Sequence, residues 1–206
     1  MSFLSKKESI LQAATLLFSE NGFRHTSVQE IANMTGAAEG TIFYHFKNKE
    51  GLFLAILDNL KRDVIEQVAE FFSGREFDNG LQMVEAAISF YIHLEGVLKH
   101  RFLLLHRHDA YEFAMVNAEC HKHLEVIYEQ FIEMFERGIL LGHEDGSVRD
   151  VSARKTALII FSMVDGLVRL NTYGLYSANP LFEEVVQACR KILENEKAKR
   201  LRNTGE

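Results

Sequence analysis

The stretch TSVQEIANMTGAAEGTIFYHFKNKE, residues 26–50, decides the fold of this chain. Thr26 and Ser27 each precede a Gln or Glu by three residues, which is the spacing of a capping box at a helix start. Thr35-Gly36 then ends a short helix, because glycine accepts the left-handed conformation just beyond a helix end. A third short helix is predicted from about Ala38 to Phe46, and Lys47-Asn48 ends it. Two short helices joined by a tight turn are therefore expected here, with Val28, Ile31, Ala32 and Met34 on the buried side of the first and Ile42 and Phe46 in the core.

An amphipathic helix precedes this stretch, and a longer one follows it. Apolar residues fall on one face between Lys6 and Glu20, and Asn21-Gly22 supplies a stop. The fourth helix begins near Asn48 or Lys49, and its apolar stripe runs to Phe72. Two short helices packed on a longer preceding helix form a helix-turn-helix, whose second helix enters the major groove of DNA. Periodicity alone also allows a helical hairpin that binds nothing.

The remaining sequence also favours helices, because apolar residues recur at helical spacing and no alternating strand pattern is present. Five segments follow the fourth helix: about Asp78 to Leu94, Gly96 to Arg107, Ala110 to Leu141, Asp150 to Tyr173 and Pro180 to Leu201. Asp165 and Arg169 lie four residues apart within an apolar run, so we expect either that they pair or that Asp165 marks a polar point in a subunit interface or a pocket. The predicted fold class is all-α.

Composition bounds the function classes. The chain has 206 residues, of which 47% are hydrophobic and 25% are charged, as in ordinary globular proteins. Residues 1–7 lack the apolar run of a signal peptide, and no apolar stretch reaches the roughly 18 residues of a membrane span. Cys120 and Cys189 are too few and too far apart for a disulfide framework or a zinc module. We therefore expect a protein of the reducing cytoplasm, without a membrane partner.

The net charge of −6 argues against nucleic acid, but its distribution is uneven. Residues 1–52 contain five basic and five acidic residues, so the whole surplus of negative charge lies beyond them. An alternative function is therefore an all-helical ligand-binding protein whose head binds DNA weakly or not at all. An enzyme is not expected, because no phosphate loop, nucleophile elbow or metal-binding helix motif is present.

The run from Thr41 to Glu50, TIFYHFKNKE, resembles the signature of the tetracycline-repressor (TetR) family. Residues 26–32, Thr35-Gly36 and Gly40 resemble the same signature at matching spacing, so the likeness covers about residues 8 to 54. The family implies a three-helix N-terminal helix-turn-helix head joined by a long fourth helix to a six-helix ligand-binding and dimerisation body. It also implies a DNA-binding domain at 1–50 and an effector-binding and dimerisation domain at 51–206.

The function that the resemblance implies is a homodimeric transcriptional regulator, expected to be a repressor that a small-molecule effector releases from an inverted-repeat operator in double-stranded DNA. It assigns DNA contacts to Ser27, Ala38, Glu39, Thr41, Tyr44, His45 and Lys49. A helix N-terminus such as that at Ser27 suits a phosphate, as do the paired Tyr44 and His45. Lys49 resembles the family's lysine that grips the DNA backbone, and Thr41 could touch a phosphate or a thymine methyl group.

Four positions depart from the family's pattern. Phe43 stands where tyrosine is usual, so a hydroxyl contact is lost or the ring serves only in packing. Ala37 and Ala38 replace small polar residues and leave only methyl groups. Glu39 either stabilises the helix start through the dipole or accepts a hydrogen bond from cytosine N4.

The body is expected to bind a mostly apolar effector, because it is rich in aromatic side chains and methionine. The candidate effector-binding residues are Tyr91, His93, His106, Tyr111, Phe131 and Met163. Seven of the nine histidines lie between His93 and His143, but their spacing does not place them on one helix face, so neither a metal site nor a cofactor is expected. The last two helices have broad apolar faces that suit a four-helix bundle between subunits.

Overall fold

The computed structural model describes residues 5–177 and 179–195, and within these ranges the chain is built of α-helices. Three short or medium helices come first, a long one follows, and six more complete the body. In chain order they are α1 (Lys6–Asn21), α2 (Val28–Thr35), α3 (Glu39–Phe46), α4 (Lys49–Phe72), α5 (Gly80–Val97), α6 (Lys99–His106), α7 (His108–Val116), α8 (Ala118–Glu144), α9 (Ala153–Thr172) and α10 (Phe182–Leu193). The predicted all-α fold, with its three-helix head, long fourth helix and six-helix body, is confirmed.

Capping residues set the bounds of the first two helices. Ser5 caps α1 and Ser27 caps α2, each in a reciprocal capping box with Glu8 or Glu30. Of the two predicted starts for α2, the structure has the one at Ser27, because the Thr26 hydroxyl instead donates to the carbonyl oxygens of Leu17 and Gly22. The carboxylates of both boxes accept hydrogen bonds from the capping serines, and these bonds lower the pKa of Glu8 and of Glu30.

The predicted body helix from Ala110 to Leu141 is wrong as a single element. It is interrupted at Asn117, whose backbone is extended and whose Oδ1 accepts a hydrogen bond from the amide of Cys120 at 2.9 Å. This side-chain cap starts α8 at a point where the helical spacing of apolar residues in the sequence continues and no glycine or proline marks a helix end. Arg107, also extended, separates α6 from α7 without a side-chain cap.

The C-terminal segments also differ from the prediction. Asn179–Leu181 forms a short 3-10 turn, so the last helix begins at Phe182 rather than at Pro180. It ends at Leu193, so the predicted helix is wrong at Glu194 and Asn195, and its remainder, to Leu201, lies outside the described residues. Val148 and Glu194 form an isolated antiparallel bridge, and the described ranges contain no β-strand.

The chain divides into two compact units that do not follow the order of the sequence. The first combines Met1–Ile65 with Leu98–Ile127, and the second combines Glu66–Val97 with Tyr128–Glu206. The head therefore shares one unit with α6 and α7, because α1 packs against α6. The predicted functional division after residue 50 stays a prediction, since α4 runs through that position without a break.

The interior of both units is apolar. In the first, Ile31, Ala32, Ile42 and Phe46 are buried, as predicted, whereas Met34, expected on the buried side of α2, is 53% exposed. None of the helices in the described part of the chain has both the length and the apolar character of a membrane span.

Candidate nucleic-acid interface

Helix α3 presents one buried and one exposed face. Ile42 and Phe46, four residues apart, anchor it in the first unit. The opposite positions are Gly40, Phe43, Tyr44 and Lys47, and all four are exposed. Tyr44 is 84% exposed, which is unusual for a large aromatic side chain in a monomer. This face is available to a partner that takes both apolar and polar contacts.

The remaining predicted contacts on α3 lie at the edges of this face. Ala38 is the exposed N-terminal capping position, and its methyl group makes no side-chain cap. Glu39 in the first turn, Thr41 and His45 are half-buried. The His45 ring meets the edge of Tyr44, with ring centroids 5.2 Å apart. The structure therefore brings Tyr44 and His45 together, and contact of these residues with DNA stays a prediction.

Ser27, the predicted phosphate contact on α2, is exposed at the helix N-terminus. Its hydroxyl is engaged within the capping box, since it lies 2.8 Å from Glu30 Oε2 and accepts from the Glu30 amide at 3.2 Å. A phosphate at this position would therefore meet the side chain of Glu30 as well as the helix N-terminus.

Lys49 has a structural role that its sequence position did not reveal. Its Nζ donates to the carbonyl oxygens of Phe23 at 2.9 Å and Thr26 at 3.1 Å, and it lies 4.6 Å from the centre of the Phe23 ring. Two of the three ammonium protons thus hold the α1–α2 turn against the start of α4. Contact with the DNA backbone stays a prediction for Lys49, and it depends on the third proton.

The turn between α3 and α4 is unusually tight. Lys47 has φ 64° and ψ −50°, and the Asn48 amide donates to the Phe46 carbonyl at 2.7 Å, which is the geometry of a γ-turn. Asn48 Oδ1 then accepts from the Gly51 amide at 2.7 Å and so caps α4. Gly51 must lack a side chain, because a Cβ there would collide with the Phe46 carbonyl. Among the described residues Lys47 is the only non-glycine with positive φ.

The α1–α2 turn is held from the other side by α7. Arg107 Nη1 donates to the Ser19 carbonyl at 2.8 Å, and Asp109 Oδ2 accepts from the Phe23 amide at 3.0 Å. Phe23 stacks on Phe113 with ring centroids 6.0 Å apart. We call Arg107 and Asp109 the turn clamp. Sequence reasoning missed it, because its members lie more than 80 residues from their partners and form no motif.

The candidate effector-binding residues do not gather in one place. Tyr91 and Phe131 are fully buried and meet edge to face at 4.7 Å, whereas His93 is exposed. Met163 belongs to the surface of α9. These four residues belong to the second unit, while His106, buried, and Tyr111, half-buried, belong to the first. Their role in effector binding stays a prediction.

A buried polar pair connects α5 and α9. Asp165, 8% exposed, accepts a hydrogen bond from the Tyr91 hydroxyl at 2.6 Å and lies 3.6 Å from Arg169. The predicted pairing of Asp165 with Arg169 is confirmed, and Tyr91 is a partner that the sequence did not reveal. The carboxylate is thus compensated inside an otherwise aromatic core.

An apolar strip marks the surface of α9. Leu158, Ile159, Ser162 and Met163 line an open depression of about 370 Å³. Leu158 is 41% exposed and Ile159 is 55% exposed.

The histidine-rich region contains a buried histidine beside a lysine and a glutamate. His123 is buried and lies 3.3 Å from Lys61 Nζ and 3.8 Å from Glu119. Its burial, and secondarily the charge of Lys61, lowers the pKa of His123. In residues 5–177 and 179–195 no three His, Cys, Asp or Glu side chains are arranged to hold a metal ion.

Comparison with known proteins bears on the head first. Residues 10–56 match the family model described as bacterial regulatory proteins, tetR family. The HTH-type transcriptional repressor AcnR of Corynebacterium glutamicum is 36% identical over 77 residues, which cover 37% of each chain.

Two further proteins match most of the chain. YvdT of Bacillus subtilis, an uncharacterized HTH-type transcriptional regulator, is 27% identical over 168 residues, which cover 78% of this chain and 79% of the relative. The crystal structure of the transcriptional regulator FadR from Bacillus subtilis in complex with stearoyl-CoA superposes with a TM-score of 0.71 and covers 89% of this chain and 97% of that one. At 21% identity this structural likeness shows the fold alone.

Proposed function

We propose that this chain, a member of the TetR family of bacterial regulatory proteins, is a homodimeric repressor that a small-molecule effector releases from its operator. The observation that carries DNA binding is the exposed face of α3, where Tyr44 projects almost fully into solvent while Ile42 and Phe46 fix the helix from behind. A helix exposed in this way has the dimensions that the major groove of DNA admits.

The proposed dimer rests on the surface of α9. Its apolar side chains continue along one face through the exposed Ile159, Leu170 and Tyr173, with the half-buried Met163 between them. Gly166 lies in the middle of this face, has no positive φ, and a Cβ there would meet nothing within 4 Å. Since no described neighbour requires glycine, its place on this face suits the close approach of a helix from a second copy. A two-fold dimer would use the same patch on both subunits.

Dimerisation determines the form of the operator. One short helix reaches only a few base pairs, so two copies related by a two-fold axis would read an inverted repeat. The half-sites should lie about one helical turn of DNA apart, roughly 10 base pairs, or a multiple of this spacing.

For the effector, we propose a mostly apolar small molecule bound by the body. The support is the aromatic interior of the second unit, where Phe131 and Phe161 pack against Tyr91, whose hydroxyl donates to the Asp165 carboxylate. The FadR structure contains stearoyl-CoA, whose acyl chain has this chemical character. Repression is supported by the name of AcnR, which matches only part of this chain.

DNA binding is tested by incubating the full chain with random duplex DNA and amplifying the bound fraction over several rounds. We expect an inverted repeat to be enriched, and Tyr44→Ala to lower affinity for the enriched duplex at least tenfold. Tyr176→Ala is the matched control, because Tyr176 is also exposed, at 67%, but lies outside the head. Failure of the chain to enrich any sequence would favour the alternative function, a ligand-binding protein with an inactive head.

The dimer is tested by sedimentation equilibrium at micromolar concentration. Ile159→Glu should produce a monomer, because it places a charge in the apolar strip of α9. Val116→Glu is the control, since Val116 is 83% exposed on α7. A monomeric wild-type protein, or an Ile159→Glu variant that remains dimeric, would contradict the proposed interface.

A further inference from the structure

The exposed face of α3 contains two residues that the interior of the protein does not explain. Gly40 and Lys47 lie seven residues apart, with Phe43 between them, at spacings of three and four residues. We call these three residues the α3 stripe. They were not among the DNA contacts that the sequence predicts.

Gly40 lacks a side chain where a side chain would fit. It is the second residue of α3, its φ is not positive, and a Cβ there would meet no atom within 4 Å. Glycine destabilises a helix relative to alanine, because more backbone entropy is lost on folding. Gly51, by contrast, is required by the Phe46 carbonyl. The chain therefore accepts a weaker α3 to keep Gly40 free of a side chain.

Lys47 shows the opposite departure. Its φ of 64° is a conformation that favours glycine, yet the chain retains a long cationic side chain there. The side chain is exposed, and it appears in no described hydrogen bond or ion pair. A residue that is strained and also solvent-exposed gains nothing from the interior that would offset the strain. Its cation is therefore retained for a contact outside the chain.

Phe43 supplies the third part of the stripe. It is 43% exposed, so it does not serve only in packing, which was one of the two roles left open by the sequence. The major groove offers an apolar group of one kind, the C5 methyl of thymine. An exposed phenylalanine on a helix of DNA-reading geometry therefore matches thymine in preference to cytosine.

We propose that the α3 stripe sets operator preference, with Gly40 at the closest approach to the base edges, Phe43 against a thymine methyl group, and Lys47 on a backbone phosphate. This inference rests on the proposed function, because it requires that α3 enters DNA. It goes beyond that function by naming a base and by adding Lys47 as a backbone contact beside Lys49, two of whose ammonium protons hold the α1–α2 turn.

The thymine contact is tested on the duplex that the wild-type chain enriches from random DNA. Each thymine is replaced in turn by uracil, which removes only the methyl group, and affinity is measured by fluorescence anisotropy. One position per half-site should lose about fourfold, the equivalent of about 0.8 kcal/mol for one buried methyl group. In Phe43→Ala, the thymine and uracil duplexes should bind equally well at that position, and the effect of uracil at the other thymines should be unchanged.

Gly40→Ala should move stability and binding in opposite directions. Alanine should raise the melting temperature by about 1–3 °C, because it is the better helix former. It should lower operator affinity at least tenfold, because the added methyl group prevents the closest approach. Gly96→Ala is the control, since Gly96 is also exposed and a Cβ there meets nothing within 4 Å. That variant should leave binding unchanged.

Lys47→Gly should not lower the melting temperature, because glycine adopts this φ without strain. It should reduce the slope of log affinity against log salt by about 0.9 per protomer, which corresponds to one phosphate contact. Lys191→Ala, on exposed α10 surface, controls for net charge. Each variant tests the assignment of its own residue. The assignment of Gly40 is overturned if Gly40→Ala binds with wild-type affinity, and that of Lys47 if Lys47→Gly leaves the salt slope unchanged. The assignment of Phe43 is overturned if Phe43→Ala still loses affinity when that thymine is replaced by uracil. A wild-type chain that enriches no duplex would overturn the proposed function as well.

Discussion

The replacement Arg107→Ala tests how the DNA-binding head is held. Arg107 Nη1 donates to the carbonyl oxygens of Ser19 at 2.8 Å and Glu20 at 3.3 Å, in the last turn of α1. Carbonyls at a helix C-terminus lack helical partners and carry the negative end of the dipole. The last turn of α1 contains no basic residue of its own, so the guanidinium of α7 supplies the missing cation.

The size of the effect follows from this geometry. A hydrogen bond to a charged group contributes about 1.5–3 kcal/mol to stability. The two bonds share one nitrogen, and the Arg107 side chain is 26% exposed, so we expect about 2 kcal/mol in total rather than the sum of two full bonds. For a chain of this length, that loss lowers Tm by about 4–8 °C.

The assay is a double-mutant cycle with Asp109→Ala, measured by urea denaturation. Asp109 holds the Phe23 amide at 3.0 Å and lies 3.7 Å from Arg107 Nε, so the two losses should be less than additive by about 0.5–1 kcal/mol. Amide hydrogen exchange at Phe23 should accelerate in both variants. Lys122→Ala is the matched control, because its ion pair with Glu125 is exposed and should contribute less than about 0.5 kcal/mol.

The operator affinity of Arg107→Ala should also fall, because the α1–α2 turn positions the N-terminus of α2. If this variant unfolds at the same urea concentration as Lys122→Ala, the turn clamp does not stabilise the head. If the two clamp substitutions are fully additive, Arg107 and Asp109 act separately.

Three further outcomes are expected. Burial and Lys61 lower the folded-state pKa of His123, so its contribution to stability is present above about pH 6.5 and is lost as the pH falls below that value. Between pH 7.5 and 5.5, the free energy of unfolding in urea should therefore fall less for His123→Gln than for the wild type. Tyr91→Phe should cost about 1.5–3 kcal/mol in the same assay, because buried Asp165 loses its 2.6 Å donor; a loss below 0.5 kcal/mol would contradict this. Gly166→Leu should give a monomer in sedimentation equilibrium, and a dimer of unchanged affinity would show that α9 does not cross its partner there.

Local signals in the sequence were sufficient wherever the structure is determined locally. The capping box of Ser27 with Glu30, the left-handed Gly36 and the pair Asp165–Arg169 all involve residues within four positions of one another. Hydrophobic periodicity also identified Ile42 and Phe46 as buried. These features follow from helix geometry alone, so no tertiary information was needed.

The features that were missed depend on tertiary contacts or on a single competing side chain. Lys49 could not be assigned to the α1–α2 turn, because the carbonyls that it binds lie more than 20 residues away. The break at Asn117 falls inside a continuous apolar pattern, and asparagine is tolerated within helices as well as at their starts. The effector residues were chosen by side-chain type, which does not distinguish the packed core at Tyr91 from a ligand-binding wall.

The turn clamp also limits what regulation through α6 and α7 can achieve. An effector alters operator affinity only by the difference in its free energy of binding to the two states of the protein. If the altered state lacks the clamp, the effector's difference in binding free energy must offset about 2 kcal/mol at Arg107 and a comparable amount at Asp109. Because the two losses are less than additive by about 0.5–1 kcal/mol, opening both members costs about 3–3.5 kcal/mol, so the effector must bind the altered state about 140- to 320-fold more tightly to offset it. An effector that opens only one member needs a preference of about 30-fold, so release through a single member demands less discrimination between the two states.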